Sequence, residues 1–266
     1  MKKWIIPIAL LLVLAVYLGG QGWQRLLNNL QGEAAPLPTL VPAATAVPTE
    51  APSLTPEPTA TPKPEPTPNP ELVRVADGFT YEPVPETVRT LMTGKSYGED
   101  CDVSWQDLRY VKVRHIGFDG KAHEGELVVN ACIAQDVTEI LYELYKAAYP
   151  IEKMRLVDYY EADDDASCAD NNSSAFNYRV VEGTTRLSKH ALGVAVDINP
   201  LYNPYVVGGK ANIPEAEPYT DRTKDCPYYI DEEDLCYKLF TERGFTWGGS
   251  WRSVKDYQHF QRLPEE

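Results

Sequence analysis

The sequence has no pair of cysteines separated by two residues, although it contains five cysteines. Structural zinc clusters are usually built from such pairs, so this kind of site is not expected. Basic residues are also few, with 25 against 39 acidic residues and a formal net charge of -14. Because phosphate groups and anionic lipids bind to basic patches, the composition argues against nucleic acid or an anionic membrane surface as a partner.

Histidine is scarce as well, with four residues in the whole chain, so each can be weighed separately as a metal ligand. His115 and His123 lie in or beside predicted strands and have an ordinary structural explanation. His190 and His259 lie in segments that also contain glycines and a carboxylate. These two histidines are therefore the candidates for a metal site.

His190 belongs to the segment Ser188-Lys-His-Ala-Leu-Gly-Val-Ala-Val-Asp197, in which a turn leads into a strand. From Val194 onward, larger apolar residues alternate with small or polar ones, which predicts a half-buried strand with Asp197 facing away from the core. Gly193 permits a tight bend before this strand. The pattern predicts that His190 and Asp197 converge. The alternative is a surface histidine and an aspartate that caps a local turn.

A third ligand is expected from the segment Trp247-Gly-Gly-Ser-Trp-Arg-Ser-Val-Lys-Asp256-Tyr-Gln-His-Phe260. A catalytic zinc usually takes three protein ligands and leaves a fourth position for water, with a nearby carboxylate that accepts a proton. His259 is the best candidate for the third ligand, and Asp256 is the candidate carboxylate. In the alternative, the domain binds no metal and these residues are polar groups of a cleft.

The motifs Ser-x-His-x-x-Gly-x-Ala-x-Asp, Gly-Gly-x-Trp and Asp-x-x-His-Phe occur in this order along the chain. Together they resemble the zinc peptidases that cut peptidoglycan stem peptides, namely VanY-like D-alanyl-D-alanine carboxypeptidases and related L-alanyl-D-glutamate endopeptidases. The resemblance extends from about Asp107 to Phe260. It implies that His190, Asp197 and His259 bind Zn2+. It also implies that Asp256 is the general base.

The same resemblance implies an α+β fold of the hedgehog/DD-peptidase type, a small antiparallel sheet with helices packed on one side. The segment Asn172-Ser-Ser-Ala-Phe-Asn-Tyr-Arg179 resembles the one that holds an arginine beside the scissile carbonyl, so Arg179 is expected to stabilise the oxyanion. A structural salt bridge is the alternative for Arg179. Ser188 and Trp251 are expected to contact substrate, although Ser188 could equally cap the turn that carries His190.

Three regions are predicted along the chain. Residues 1–22, with two lysines before an apolar run, are expected to be a signal or membrane anchor, which predicts export and a catalytic domain outside the cytoplasmic membrane. Residues 23–72 are rich in proline and threonine and are expected to be a disordered stalk. Residues 73–266 are expected to form the zinc peptidase domain, a monomer that meets the membrane only through its N-terminal segment.

Local patterns predict the elements of this domain. Strands are expected at 108–116, 126–131 and 154–159, and an Asp-Gly turn separates the first two. An apolar stripe predicts a core helix at 136–148, and the acids at 231–234 predict the start of another, with Gly244 at its end. The acids at 161–165 are expected in a solvated loop, with a calcium site as the weaker alternative.

Export also favours disulfides among the five cysteines. Cys226 and Cys236 are the nearest pair in sequence, and Cys101 is expected to pair with Cys132 or Cys168. A catalytic cysteine is not expected, because no motif couples a cysteine to a histidine.

The function implied by the resemblance is hydrolysis of stem peptides, most simply by a D-Ala-D-Ala carboxypeptidase. An L-Ala-D-Glu endopeptidase uses the same metal centre and remains an alternative. A zinc-containing cell-wall-binding module without activity is the alternative from a different class.

Overall fold

The structure, a computed structural model, describes residues 71–181 and 183–263. The predicted signal or anchor at 1–22, and the stalk at 23–72 except for its last two residues, lie outside the described residues. Within the described ranges, no helix is both long enough and apolar enough to cross a bilayer.

The largest sheet of the described residues has four antiparallel strands in sequential order. They are Val73–Ala76 (β1), Phe79–Pro83 (β2), Leu108–Ile116 (β3) and Ala122–Asn130 (β4). β3 and β4 form a hairpin in which His115 lies opposite His123, and Gly120 adopts a φ of 72° in the connecting turn. The predicted strand at 108–116 and the Asp-Gly turn are confirmed. β4 begins four residues before its predicted start, because the hairpin pairing continues almost to the turn.

Four α-helices occur in the described residues, namely Glu86–Met92 (α1), Ala131–Lys146 (α2), Asp164–Ala169 (α3) and Leu235–Glu242 (α4). α2 covers one face of the large sheet, and its buried stripe packs with Val111 and Val113 of β3. The stripe consists of Ile133, Val137, Ile140, Leu141 and Leu144. α2 is therefore the core helix that the apolar stripe predicted. It begins five residues earlier than predicted, since the Asn130 side chain accepts a hydrogen bond from Cys132 N at 3.1 Å and caps it.

α4 ends before Gly244 as predicted, but the acids at 231–234 precede its first turn and do not form part of it. Asp234 caps it by accepting a hydrogen bond from Cys236 N at 2.8 Å, and Gly244 follows its end with a φ of 78°. Phe240 and Cys236 are fully buried on the face that packs into the core. The helix thereby supports the short strands that carry the C-terminal motif.

Eight short strands complete the described fold. They are Lys153–Met154 (β5), Asn172–Ser173 (β6), Ala195–Asp197 (β7), Tyr205–Val207 (β8), Lys210–Ala211 (β9), Thr246–Trp247 (β10), Lys255–Asp256 (β11) and His259–Gln261 (β12). They form three small sheets with the orders β10-β12-β7, β11-β8-β9 and β5-β6. The α+β class is confirmed. The two motifs meet in the sheet β10-β12-β7, which is separate from the four-stranded sheet.

The predicted strand at 154–159 is wrong beyond Met154. Residues Val157–Tyr160 form a turn of 3-10 helix instead. Asp158 is buried there and its side chain accepts a hydrogen bond from Ser96 N at 3.1 Å. This contact with a segment 62 residues away turns the backbone inward, which a local alternation pattern does not reveal.

All five cysteines are free thiols, so the prediction of disulfides is wrong. They lie in separate parts of the fold: Cys236 is fully buried in the core, whereas Cys132 is exposed on α2. The described fold is therefore held by packing and hydrogen bonds without a cross-link.

Asn130 should contribute measurably to stability, because it joins α2 to the His190 turn as well as capping the helix. Its Nδ2 donates to Leu192 O at 3.3 Å, and its backbone N donates to Gly193 O at 2.7 Å. We expect Asn130→Ala to lower the free energy of unfolding by about 1–2 kcal/mol, as loss of a cap does. Asn130→Asp keeps the cap but loses the Nδ2 donor. Its free energy of unfolding, measured by urea denaturation, should therefore lie between those of the wild type and Asn130→Ala. Equal stabilities for all three would contradict this role.

Candidate metal centre

The antiparallel pairing of β7 with β12 places Asp197 directly opposite His259. Side chains of directly opposed residues lie on the same face of a sheet, so the carboxylate and the imidazole meet. Phe260 and Val196, the next pair along, face the core and are fully buried. The strand is buried on both faces, with Asp197 only 8% exposed, and Ser174 pairs with Asp197 along the edge opposite β12. The predicted half-buried strand is thus more enclosed than expected.

His190 begins a short 3-10 turn, His190–Leu192, that leads into this strand. Gly193 ends the turn with a φ of 68°, in the left-handed region. A Cβ at this position would lie 2.8 Å from Asn130 N, so the close approach of β4 also requires glycine. The predicted bend at Gly193 is confirmed, and it brings the His190 side chain back over β7.

The three ligand atoms of the predicted set lie close together. His190 Nε2 is 3.0 Å from His259 Nδ1, and each nitrogen is 3.1 Å from an oxygen of Asp197. A tetrahedral zinc with bonds near 2.0–2.2 Å spaces its ligand atoms by about 3.3–3.6 Å. His190, Asp197 and His259 form a group of buried ligands that fits a metal ion. The donor set and its spacing therefore fit zinc.

Each imidazole is oriented by a hydrogen bond from the ring nitrogen that faces away from Asp197. His190 Nδ1 donates to Ala175 O at 2.6 Å, and His259 Nε2 donates to Gln261 Oε1 at 3.0 Å. Such partners fix the tautomer and the ring plane of a metal-binding histidine. They leave Nε2 of His190 and Nδ1 of His259 as the two nitrogens that face Asp197.

The electrostatics of the group favour positive charge where these atoms meet. Burial alone would raise the pKa of Asp197, but the imidazole of His190, helped by His259, holds this pKa well below its usual range. Burial opposes protonation of His259, yet its hydrogen bond to Asp197 and the nearby carboxylates raise its pKa to about 9. A proton or a metal cation can supply the positive charge that these groups stabilise.

Asp256 lies beside this group. Its side chain is 14% exposed, and its Oδ2 is 4.0 Å from His259 Nδ1. Its Oδ1 is buried and has no hydrogen-bond partner within the described residues. Burial raises the pKa of Asp256 to about 6, with His259 opposing the shift and Asp197 adding to it. An unpaired buried oxygen with a raised pKa is suited to exchange protons with a ligand.

The backbone around Asp256 is shaped by two glycines. β11 pairs with β8 and places Asp256 opposite Tyr205, so the segment after β7 lies beside Asp256. A Cβ on Gly248 would lie 2.6 Å from Asp256 O, and a Cβ on Gly249 would lie 2.2 Å from the Trp247 ring. The absence of side chains at these glycines allows the turn Gly248–Ser250 to lie against Asp256 and Trp247.

Two of the remaining predicted residues, Trp251 and Ser188, also lie near the centre. The Trp251 ring is partly buried, and its centroid is 5.4 Å from that of His259. Ser188 is 5% exposed, and its Oγ accepts a hydrogen bond from His190 N at 3.2 Å. This hydrogen bond is the one expected if Ser188 caps the turn that carries His190.

Arg179 forms an ion pair with Asp164, which is the salt-bridge alternative for this residue. Its Nε is buried and makes no hydrogen bond to the described residues. Burial raises the pKa of the Cys168 thiol. The carboxylates of Asp164, Asp197 and Asp256 raise this pKa further, and Arg179 opposes the shift. The backbone links Arg179 to the segment of the centre, because Ser188 N donates to Arg179 O at 3.0 Å.

His115 and His123 are not part of the centre. His115 Nδ1 donates to Ile151 O at 2.7 Å, and His123 Nε2 lies 2.9 Å from Asp119 Oδ1. Sequence reasoning missed Gln261, although it follows His259 by two residues and so lies on the same face of its strand. It also missed Asp164, which no local pattern connects to Arg179.

Two buried imidazoles and a carboxylate, with a further carboxylate beside them, form the ligand arrangement that mononuclear metal-dependent hydrolases use. Residues 182–262 match the family model described as D-alanyl-D-alanine carboxypeptidase. The predicted resemblance to this family of zinc peptidases is confirmed over that segment, which contains the four residues of the centre. Over this segment the chain is similar to hydrolases of the peptidoglycan peptidase type. Arg179 lies before the matched segment. No curated protein and no solved structure matches the chain.

Gln261 should affect metal affinity without contacting the metal. We expect Gln261→Ala to weaken zinc binding by about 10- to 100-fold, as loss of such a partner does, because His259 loses the hydrogen bond that orients it. Gln261→Glu retains an acceptor and should bind zinc at least as tightly as Gln261→Ala. Titration against a chromogenic chelator measures the affinity, and Gln135→Ala on the exposed face of α2 is the control. Equal affinities for Gln261→Ala and the control would rule out this role.

Proposed function

We propose that this protein is a zinc-dependent D,D-carboxypeptidase that removes the terminal D-alanine from peptidoglycan stem peptides. The observation that supports it most is the convergence of His190, Asp197 and His259 within 3.0–3.1 Å, with Oδ2 of Asp256 4.0 Å from His259 Nδ1. The family match over residues 182–262 supports the substrate class and the carboxypeptidase type.

A zinc ion held by His190, Asp197 and His259 would supply Lewis-acid activation of the scissile carbonyl and of water. Asp256 accepts the proton of the attacking water and then delivers it to the leaving amine. Its burial suits this exchange, because a carboxylate with a raised pKa is a better proton acceptor and still a competent donor. Oδ1 of Asp256 is buried and has no hydrogen-bond partner within the described residues, which supports a proton exchange with a ligand bound beside it.

Arg179 stabilises the oxyanion that develops on the scissile carbonyl, through the donors that its ion pair with Asp164 leaves available. Its unpaired Nε supports this role. Trp251 lines the substrate groove beside His259 with its partly buried ring. Ser188 contacts the substrate near the His190 turn in addition to accepting from His190 N.

The endopeptidase that cuts L-Ala-D-Glu bonds is the second candidate within the same chemistry, because it would use the same centre. A non-catalytic zinc module that binds the cell wall is the candidate from a different class. The unpaired Oδ1 of Asp256 favours an enzyme over that module, since an oxygen kept free beside a metal is of use mainly to a reacting water.

We also propose that the domain works outside the cytoplasmic membrane. The lysines at the start of the chain and the apolar run after them support export. The proline-rich segment that follows supports a stalk between that N-terminal segment and the domain.

Asp256 should be required for turnover and dispensable for zinc. We expect Asp256→Asn to lower kcat by about 100- to 10,000-fold while zinc content stays near one per chain, because proton transfer is lost and all three ligands remain. His259→Ala should instead lose zinc. Metal analysis and hydrolysis of a pentapeptide stem measure both effects, and chelator treatment of the wild type should abolish activity. A near-normal rate in Asp256→Asn would refute the proton-transfer role.

The bond that is cut can be read from product masses. We expect digestion of purified muropeptides to remove a single alanine from pentapeptide stems, since the matched family is described by this activity. Internal cleavage after the first alanine would establish the endopeptidase. Intact stems, with zinc bound to the protein, would favour the non-catalytic module.

A further inference from the structure

Asp164 makes contacts that the metal centre alone does not explain. It is the first residue of α3, in the acidic stretch that the sequence placed in a solvated loop. Its carboxylate pairs with Nη2 of Arg179 and accepts a hydrogen bond from Asn177 Nδ2 at 2.7 Å. The side chains of Asp164 and Arg179 are 31% and 36% exposed, so the pair is partly shielded from water.

This pair is attached to the metal centre through the backbone. Asn177 N donates to His190 O at 3.3 Å, and Ser188 N donates to Arg179 O at 3.0 Å. On the other side, Cys168 of α3 contacts Gln258, with 3.8 Å between Sγ and Oε1. Gln258 lies between Asp256 and His259 in sequence. α3 and the Arg179 segment therefore both lie against the residues that form the centre.

The guanidinium of Arg179 has donors beyond the one that Asp164 engages. Arginine presents five N–H groups in a rigid plane, so holding one edge determines where the others point. Nε of Arg179 is buried and has no hydrogen-bond partner in the described part of the chain. A buried donor without a partner is costly, and in a segment whose backbone is bonded to the segment that carries His190 it is a group that a ligand can complete.

We propose that Asp164 is a positioning residue, which holds the Arg179 guanidinium in the orientation that stabilises the oxyanion of the scissile amide. The inference rests on the proposed function, because it requires Arg179 to contact the reacting substrate. Donors that are already oriented in the free enzyme lower the barrier most, since no reorganisation is needed during the reaction. Without Asp164 the long arginine side chain would sample other rotamers.

The test compares Asp164→Asn with Asp163→Asn. Both variants remove one negative charge from the same turn, and asparagine at 163 still caps α3, where Asp163 Oδ1 accepts from Ala166 N at 3.0 Å. We expect Asp164→Asn to lower kcat by about 10- to 100-fold with less than about a threefold change in KM, because the contact acts in the transition state. Zinc content and melting temperature should equal those of the control.

A double-mutant cycle with Arg179→Ala separates positioning from a general structural effect. If Asp164 acts through Arg179, then Asp164→Asn should cause no further loss of kcat in the Arg179→Ala background. Additive losses, a kcat equal to that of Asp163→Asn, or loss of zinc in Asp164→Asn would overturn the inference. If the wild type is active and any of these results is obtained, the inference about Asp164 is contradicted and the proposed function is not. A wild type that leaves all stem peptides intact contradicts the proposed function, and the inference with it.

Discussion

The pairing of β7 with β12 is the contact on which the centre depends. Because side chains alternate between the two faces of a strand, a slip of one residue would send Asp197 and His259 to opposite faces. Register is set by the neighbouring pair, Val196 and Phe260, which is fully buried. Hydrophobic burial one residue away from the ligands thus determines the spacing of the ligand atoms.

Burying several ionisable groups together carries a desolvation cost, which the centre offsets by mutual interaction. Asp197 interacts with both imidazoles, and each imidazole has a fixed acceptor behind it. Groups held in this way are oriented before any ligand arrives. The exceptions are Oδ1 of Asp256 and Nε of Arg179, which are unpaired acceptor and donor atoms in the described residues. In the proposed function, these two atoms are the ones assigned to water and to substrate.

Much of the centre could be predicted from local patterns. Alternation after Gly193 placed Asp197 on one face of a strand, and the distal motif supplied His259 with Asp256 three residues earlier. These features are encoded over a few residues, so their periodicity and spacing are visible in sequence. The core stripe of α2 was visible for the same reason.

The features that escaped prediction depend on contacts between distant segments. Ser96 turns the chain at Asp158 where a strand was expected, and Arg179 pairs with an acid that looked solvated. The early start of α2 depends on the cap at Asn130, whose backbone also bonds to the His190 turn. The predicted disulfides were based on compartment and sequence distance alone, and neither determines where a thiol lies in the fold.

The glycine pair before Ser250 has a consequence for how this enzyme class can diversify. Any side chain at Gly248 or Gly249 would collide with Asp256 or with the Trp247 ring, so both positions are closed to substitution. Ser250 and Arg252 in the same loop are exposed. Evolutionary drift or laboratory recombination in this loop must therefore act through those outward positions, and the arrangement of Asp256 and Trp247 beneath can persist while the exposed surface of the loop changes.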